Sequence, residues 1–227
     1  MKLLYTTFLA LTFTQFSIAQ DGITSQPNIE QEPINKKNPA KVKHAEPLYI
    51  DLMRDLGARK GEAEFNVGYG VANFKNNKEQ KAFIEYEWAV ADHLGLEVEI
   101  PVSSTKTNVT TNKVEGIKLA TQYTFLVNEK HQTSLAMGYM HEMEFANQRP
   151  FKKESVLFKG FIASPFFIAA KNFNQISTLI YTGPEFDYNF KKQNIQTNWA
   201  LNASLHYMIP NSHHFIGIEN NLRMEKG

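Results

Sequence analysis

The sequence has no cysteine. That excludes a thiol nucleophile, a cysteine-held metal site, a disulfide framework and a lipid-modified N-terminal cysteine. It has no surplus of either charge: 24 Lys and Arg stand against 23 Asp and Glu. A nucleic-acid binder presents a basic face, and this balance supplies none. No stretch approaches the roughly 18 uninterrupted apolar residues that a membrane-spanning helix needs. A phosphate-cradling glycine loop and an HExxH spacing are also missing, so no cofactor or metal is expected. What is present is 42% hydrophobic and 12% aromatic residues over 227 positions, enough for an ordered domain.

The first 19 residues have the form of an export signal. Lys2 gives a positive start, Leu3 to Phe13 are mostly apolar, and Ser17 and Ala19 are small residues before Gln20. Cleavage is expected after Ala19. Removing Lys2 leaves 23 basic against 23 acidic residues. Residues 20–43 hold Pro27, Pro33 and Pro39, several amides and few apolar groups. They cannot bury enough surface to offset ordering entropy and are expected to be a disordered tail. Its lysines Lys36, Lys37, Lys41 and Lys43 fit a solvated linker.

Residues 44–63 are expected to form a short amphipathic helix and a linker. Pro47 suits a first helical position. Leu48, Leu52 and Leu56 recur at i, i+4 and i+8. Gly57 suits the position just past a helix end. The segment begins His44-Ala45-Glu46-Pro47-Leu48-Tyr49-Ile50-Asp51, and Arg54 and Asp55 follow. This octet resembles the HAEPLYID family, whose members look like exported, outer-membrane, β-rich proteins of Bacteroidetes-type bacteria. The resemblance implies an address in the cell envelope and no particular activity. The segment could cap one end of a barrel, or act as a periplasmic plug or partner motif through Asp51, Arg54 and Asp55.

From residue 64 the period changes to two. Ile84, Tyr86, Trp88 and Val90 alternate with Glu85, Glu87, Ala89 and Ala91. Leu94, Leu96, Val98, Ile100 and Val102 alternate with Gly95, Glu97, Glu99 and Ser103. A turn at 92–93 makes these an antiparallel hairpin. Keeping the apolar residues on one face pairs Trp88 with Leu96 and Tyr86 with Val98. Nine strands are expected, near 64–75, 82–92, 94–103, 114–127, 132–143, 155–171, 176–190, 195–208 and 214–224. Each is longer than the roughly 5–6 residues of an average strand. Length, alternation and signal together predict an all-β, antiparallel, up-and-down outer-membrane β-barrel over 64–227. Such barrels have even strand numbers, so nine strands suggest a piece of a barrel of roughly 10–12 strands.

The pairing places Glu87 opposite Glu97 and Glu85 opposite Glu99, with Lys118 on the next strand as counter-ion. Inside a barrel this charge cluster is either a salt-bridged filling or a cation-attracting constriction. Asn202, Ser204 and His206 share another strand face, but side chains at i and i+2 stand parallel about 6.6 Å apart. A nucleophile–base pair needs about 3 Å, so no catalytic residue is assigned and no enzyme is expected. The predicted function is a porin-like passive-transport or envelope-structural barrel in the outer membrane. Its partners would be lipid, small solutes or cations, and a periplasmic protein through residues 44–61. The alternatives are a lipid-modifying or acyl-hydrolase barrel and a secreted β-sandwich binding module.

Overall fold

A computed structural model describes residues 3–6, 39–45, 52–73, 78–106, 110–146, 158–210 and 214–225. The strands are β1 (Leu3–Thr6), β2 (Ala63–Asn73), β3 (Lys78–Ala91), β4 (Leu94–Lys106), β5 (Thr110–Val114), β6 (Gly116–Asn128), β7 (Thr133–Phe145), β8 (Phe158–Phe173), β9 (Ile176–Asn189), β10 (Asn194–Met208) and β11 (Phe215–Glu225). They form one antiparallel sheet in the order β1-β11-β10-β9-β8-β7-β6-β4-β3-β2, with β5 folded onto β4. This is an up-and-down meander curled into a half-barrel of nine long strands. Among the nine long antiparallel strands β2 and β11 run the same way; β1 covers β11, so the edges of the described sheet are β1 and β2.

One end of the sheet carries the hairpin at 92–93, the turn at 129–132, the hairpin at 174–175 and the connection 209–214. This is the turn end. The other, the loop end, carries 74–77, 107–109, 146–157 and 190–193. The short β1 lies against the last residues of β11, Leu3 opposite Met224 and Thr6 opposite Asn221. These four residues belong to the segment read above as an export signal.

The two faces have opposite chemistry. On the convex face the register lines up rows such as Phe65, Tyr86 and Val98, then Leu119 on β6. These side chains are exposed, from Val98 at 37% to Val67 at 68% and Ile218 at 74%. Among the described residues, Asp, Glu, Lys and Arg occur on this face only near its rims, with Lys171 at the turn end and Lys106 at the loop end. On the concave face Glu85, Glu87, Glu97, Lys118, Asn198 and His206 are buried. A soluble sheet puts charge outward and apolar residues inward. Here the order is reversed.

Curvature is served by small residues on the concave face. Gly68 faces Phe83, Gly138 faces Phe166 and Gly217 faces His206, each a directly opposed pair. In each pair the ring lies over the glycine, where a Cβ would overlap it. A ring covering a cross-strand glycine shields the backbone and lets the sheet bend.

The concave face at the turn end is filled by residues 39–45 and 52–61. The expected helix is not seen in its described part: residues 52–61 form bends and turns, while 46–51 lie outside the described residues. Gly57 and Gly61 both have φ near +90°, a conformation that interrupts a helix and suits glycine. Leu52, Met53, Arg54 and Leu56 are all buried. Enclosure on every side removes the need for one helical stripe. Leu52, Met53 and Leu56 share one core with Ala120, Ala136, Ile168, Ala170 and Leu179. The end of the expected tail is also ordered: Val42 is 3% exposed, and Arg59 donates twice to the Pro39 carbonyl, at 3.2 Å. Residues 20–38 lie outside the described residues.

Candidate functional site: the charged concave face

The hairpin of β3 and β4 pairs Trp88 with Leu96 and Tyr86 with Val98, as alternation required. Glu87 therefore faces Glu97, and Glu85 faces Glu99. On β6, Lys118 is opposite Glu99. Its Nζ lies 2.6 Å from Glu99 and 3.0 Å from Glu97. Like charges directly opposed across a sheet repel, so the lysine is needed where it sits. All five residues singled out in the sequence thus meet on one wall.

The structure adds three members that strand alternation did not reveal. Asn66 on β2 donates to Glu85 at 3.1 Å and to Glu87 at 3.2 Å. Glu64, directly opposite Glu87, accepts from Arg54 at 2.6 Å. Arg54 also lies 3.6 Å from Glu87. Pairing β2 with β3 by the same parity rule would have found Glu64 and Asn66. Nothing in the sequence signals that Arg54 reaches them, because its segment has no period.

Carboxylate oxygens of Glu85, Glu97 and Glu99 lie within 4.8 Å of one another. That spacing is compatible with a hard cation, which oxygen ligands suit. The concave positions of β2, β3 and β4 also carry Glu79 and Glu64, with Lys81 as the one base among them.

The segment in front of the wall is tied to it and to itself. Lys41 Nζ bridges Asp55 at 2.9 Å and Glu62 at 2.6 Å. Burial works against the Lys41 charge, yet the hydrogen bonds and charges of Glu62 and Asp55 outweigh it and raise its pKa. Burial likewise opposes ionised Asp55, but Lys41 and Arg54 hold its carboxyl below the usual range. Both shifts favour the charged forms of Lys41 and Asp55.

Of the octet, only His44 and Ala45 are described; Glu46, Pro47, Leu48, Tyr49, Ile50 and Asp51 lie outside the described residues. His44 Nδ1 meets Asn172 Oδ1 at 3.0 Å, and Nε2 meets the Ser134 hydroxyl at 2.9 Å. The Asn172 amide nitrogen donates to the Lys43 carbonyl at 2.9 Å, which turns its oxygen toward His44. Nδ1 must then carry the proton, and Nε2 accepts from Ser134. Burial lowers the His44 pKa, with Asn172 and the Asp55 charge offsetting it in part. Ala45 N donates to Ser177 Oγ at 3.0 Å.

The set Asn202, Ser204 and His206 does share the concave face of β10. His206 Nε2 lies 3.1 Å from Glu219, while Ser204 Oγ and His206 Nδ1 are buried without hydrogen bonds. Serine and histidine are not brought into contact, so the geometry forms no nucleophile–base pair.

No curated protein and no solved structure matches the chain. A family model does match, over residues 40–227, which takes in the internal segment and every long strand. By that match the chain belongs to the HAEPLYID-like family.

Proposed function

We propose that this chain is an outer-membrane β-barrel protein with a passive-transport or envelope-structural role. One observation carries the reading: a convex face of exposed Ile, Val, Leu and aromatic side chains whose charges are confined to its rims. Water gives no reason for such a face, and hydrocarbon does. Strands of 11 to 16 residues meet or exceed the roughly 9–11 that a tilted strand needs to cross a bilayer. Aromatic rings cluster on the convex face toward the loop end. Phe161 stacks on His141 at 5.2 Å and meets Tyr188 at 5.5 Å, and such girdles mark a lipid–water boundary. Short connections conventionally face the periplasm, and on this reading residues 39–45 and 52–61 lie at the periplasmic mouth. The acidic wall favours small cations over anions as solutes. A β-sandwich binding module would need a second sheet to cover the apolar convex face, and among the described residues the strands form one sheet.

The protein is expected in the detergent-extracted outer membrane with a heat-modifiable gel mobility. Recovery as a monodisperse protein in detergent-free buffer would refute the reading.

A further inference from the structure

We propose that the convex face of β2–β5 at the loop end binds one phosphate-headed lipid, its acyl chains against Tyr69, Ala82 and Val102 and its headgroup on Ser104, Asn112 and Lys106. The inference rests on the barrel reading above and deepens it, by naming the lipid class that this part of the face selects.

The register builds the site row by row. Convex side chains alternate along each strand, so successive rows lie about 6.6 Å apart along the strand axis. The first row is Val67, Ile84 and Ile100, all exposed and apolar. The second is Tyr69, Ala82, Val102 and Val114. The third sets Gln80 opposite Ser104 and Ser104 opposite Asn112. Beyond it stands Lys106, opposite Thr110 and exposed. Over about 20 Å the face passes from hydrocarbon to neutral hydrogen-bond donors to an ammonium group. A glycerophospholipid presents the same order from its chains through its ester carbonyls to its phosphate.

The shape agrees with the chemistry. Ala82 and Ser104 are small, and their neighbours Tyr69, Gln80, Val102 and Asn112 are larger. The result is a groove of about 450 Å³, a volume in the range of ligand clefts. Tyr69 is 58% exposed and stands as one wall.

The polar row also needs an occupant. Amides and hydroxyls that face hydrocarbon without a partner are costly. On β7–β9 the loop-end boundary is made of rings, with Phe161 against His141 and Tyr188. On β3–β5 the third row is made of donors instead. The amide nitrogens of Gln80 and Asn112 and the hydroxyl of Ser104 can all donate to ester and phosphate oxygens. They span two inter-strand spacings, about 10 Å, close enough for the oxygens of one headgroup to meet them. Lysine binds phosphate as a point charge. Among the described residues no carboxylate shares the convex side of β2–β5 with Lys106, so its charge is left for an anion.

The test uses the full chain purified in detergent, offered phosphatidylglycerol and, separately, a galactosyl diacylglycerol with the same acyl chains. Native mass spectrometry reads what is retained. The native chain should hold one phosphatidylglycerol and at least fivefold less of the phosphate-free lipid. Ser104→Ala with Lys106→Gln should lower phosphatidylglycerol retention at least fivefold and leave the galactolipid unchanged. Ala82→Phe, which fills the groove by a second route, should lower retention of phosphatidylglycerol as well. Lys171→Gln, at the turn end, should change nothing. Heat-modifiable mobility reports whether each variant has formed its barrel. Equal retention of the two lipids, or native retention by the folded double variant, would overturn the site and leave the barrel reading standing. Displacement of phosphatidylglycerol by inorganic phosphate would make this a site for a free anion and overturn the lipid. A native chain that is monodisperse without detergent would overturn the barrel reading and the site with it.

Discussion

Replacing Lys118 with methionine should cost about 3–5 kcal/mol of folding stability, the usual penalty for removing one partner of a buried ion pair. Methionine keeps most of the volume and the apolar stem, so the loss reports charge. Lys118 is 7% exposed and Glu97 is 2% exposed. The lysine sits 2.6 Å from Glu99 and 3.0 Å from Glu97, and both carboxylates face a second glutamate across the hairpin. Without the cation, two opposed pairs remain on one poorly hydrated wall. Adding Glu97→Gln and Glu99→Gln to Lys118→Met removes that repulsion and should return most of the stability, though neither substitution restores the salt bridge. The check is equilibrium urea unfolding in detergent micelles for the single and triple variants. A loss below about 1 kcal/mol, the range of solvent-exposed pairs, would mean that water already screens this wall.

Gly138→Val should be more damaging, costing upwards of about 4 kcal/mol or preventing barrel formation, through overpacking with no route to relax. A Cβ at this position would overlap the Phe166 ring and the Thr121 carbonyl oxygen. The ring cannot swing away freely, because it stacks on Tyr181 at 5.0 Å. The carbonyl is backbone of β6 and cannot move without breaking the β6–β7 ladder. Phe166→Ala added to Gly138→Val relieves the first overlap only, so it should recover part of the folding yield. Gly70→Val is the control. Nothing lies within 4 Å of a Cβ there, and its effect should stay within about 0.5 kcal/mol, as at other open surface positions. Heat-modifiable mobility and urea midpoints distinguish the three. Equal behaviour of Gly138→Val and Gly70→Val would contradict the ring-over-glycine account of curvature.

Much of this architecture can be seen in the sequence because a strand's period of two is rigid. The hairpin register followed from keeping Trp88, Tyr86 and Ile84 on one face, and the structure pairs them as that demands. Once that register is set, Glu87 must face Glu97. Lys118 becomes visible because Ile117 and Leu119 fix the parity of β6. The internal segment was illegible for the opposite reason. Leu48, Leu52 and Leu56 suggested a helical stripe, but Met53 and Arg54 are as buried as Leu52 and Leu56. A chain enclosed by a curved wall has no outer face, so hydrophobic spacing stops reporting conformation. β5 was missed because five residues of Thr, Asn, Lys and Val carry too little pattern to separate from a loop. The contacts from Arg54 to Glu64 and from Lys41 to Glu62 join residues with no shared periodicity, so only three-dimensional geometry can supply them.

The chain carries a built-in reporter of whether its convex face meets lipid. Its two tryptophans both lie on that face. Trp88 stacks on Tyr86 at 5.9 Å, and Trp199 is 46% exposed, its indole nitrogen donating to Thr182 at 2.8 Å. Reconstitution into vesicles whose acyl chains are brominated should strongly quench the emission of both, as measured on Trp88→Phe and Trp199→Phe separately, while aqueous iodide leaves it nearly unchanged. Emission that iodide quenches and brominated lipid does not would place the convex face in water and contradict the barrel.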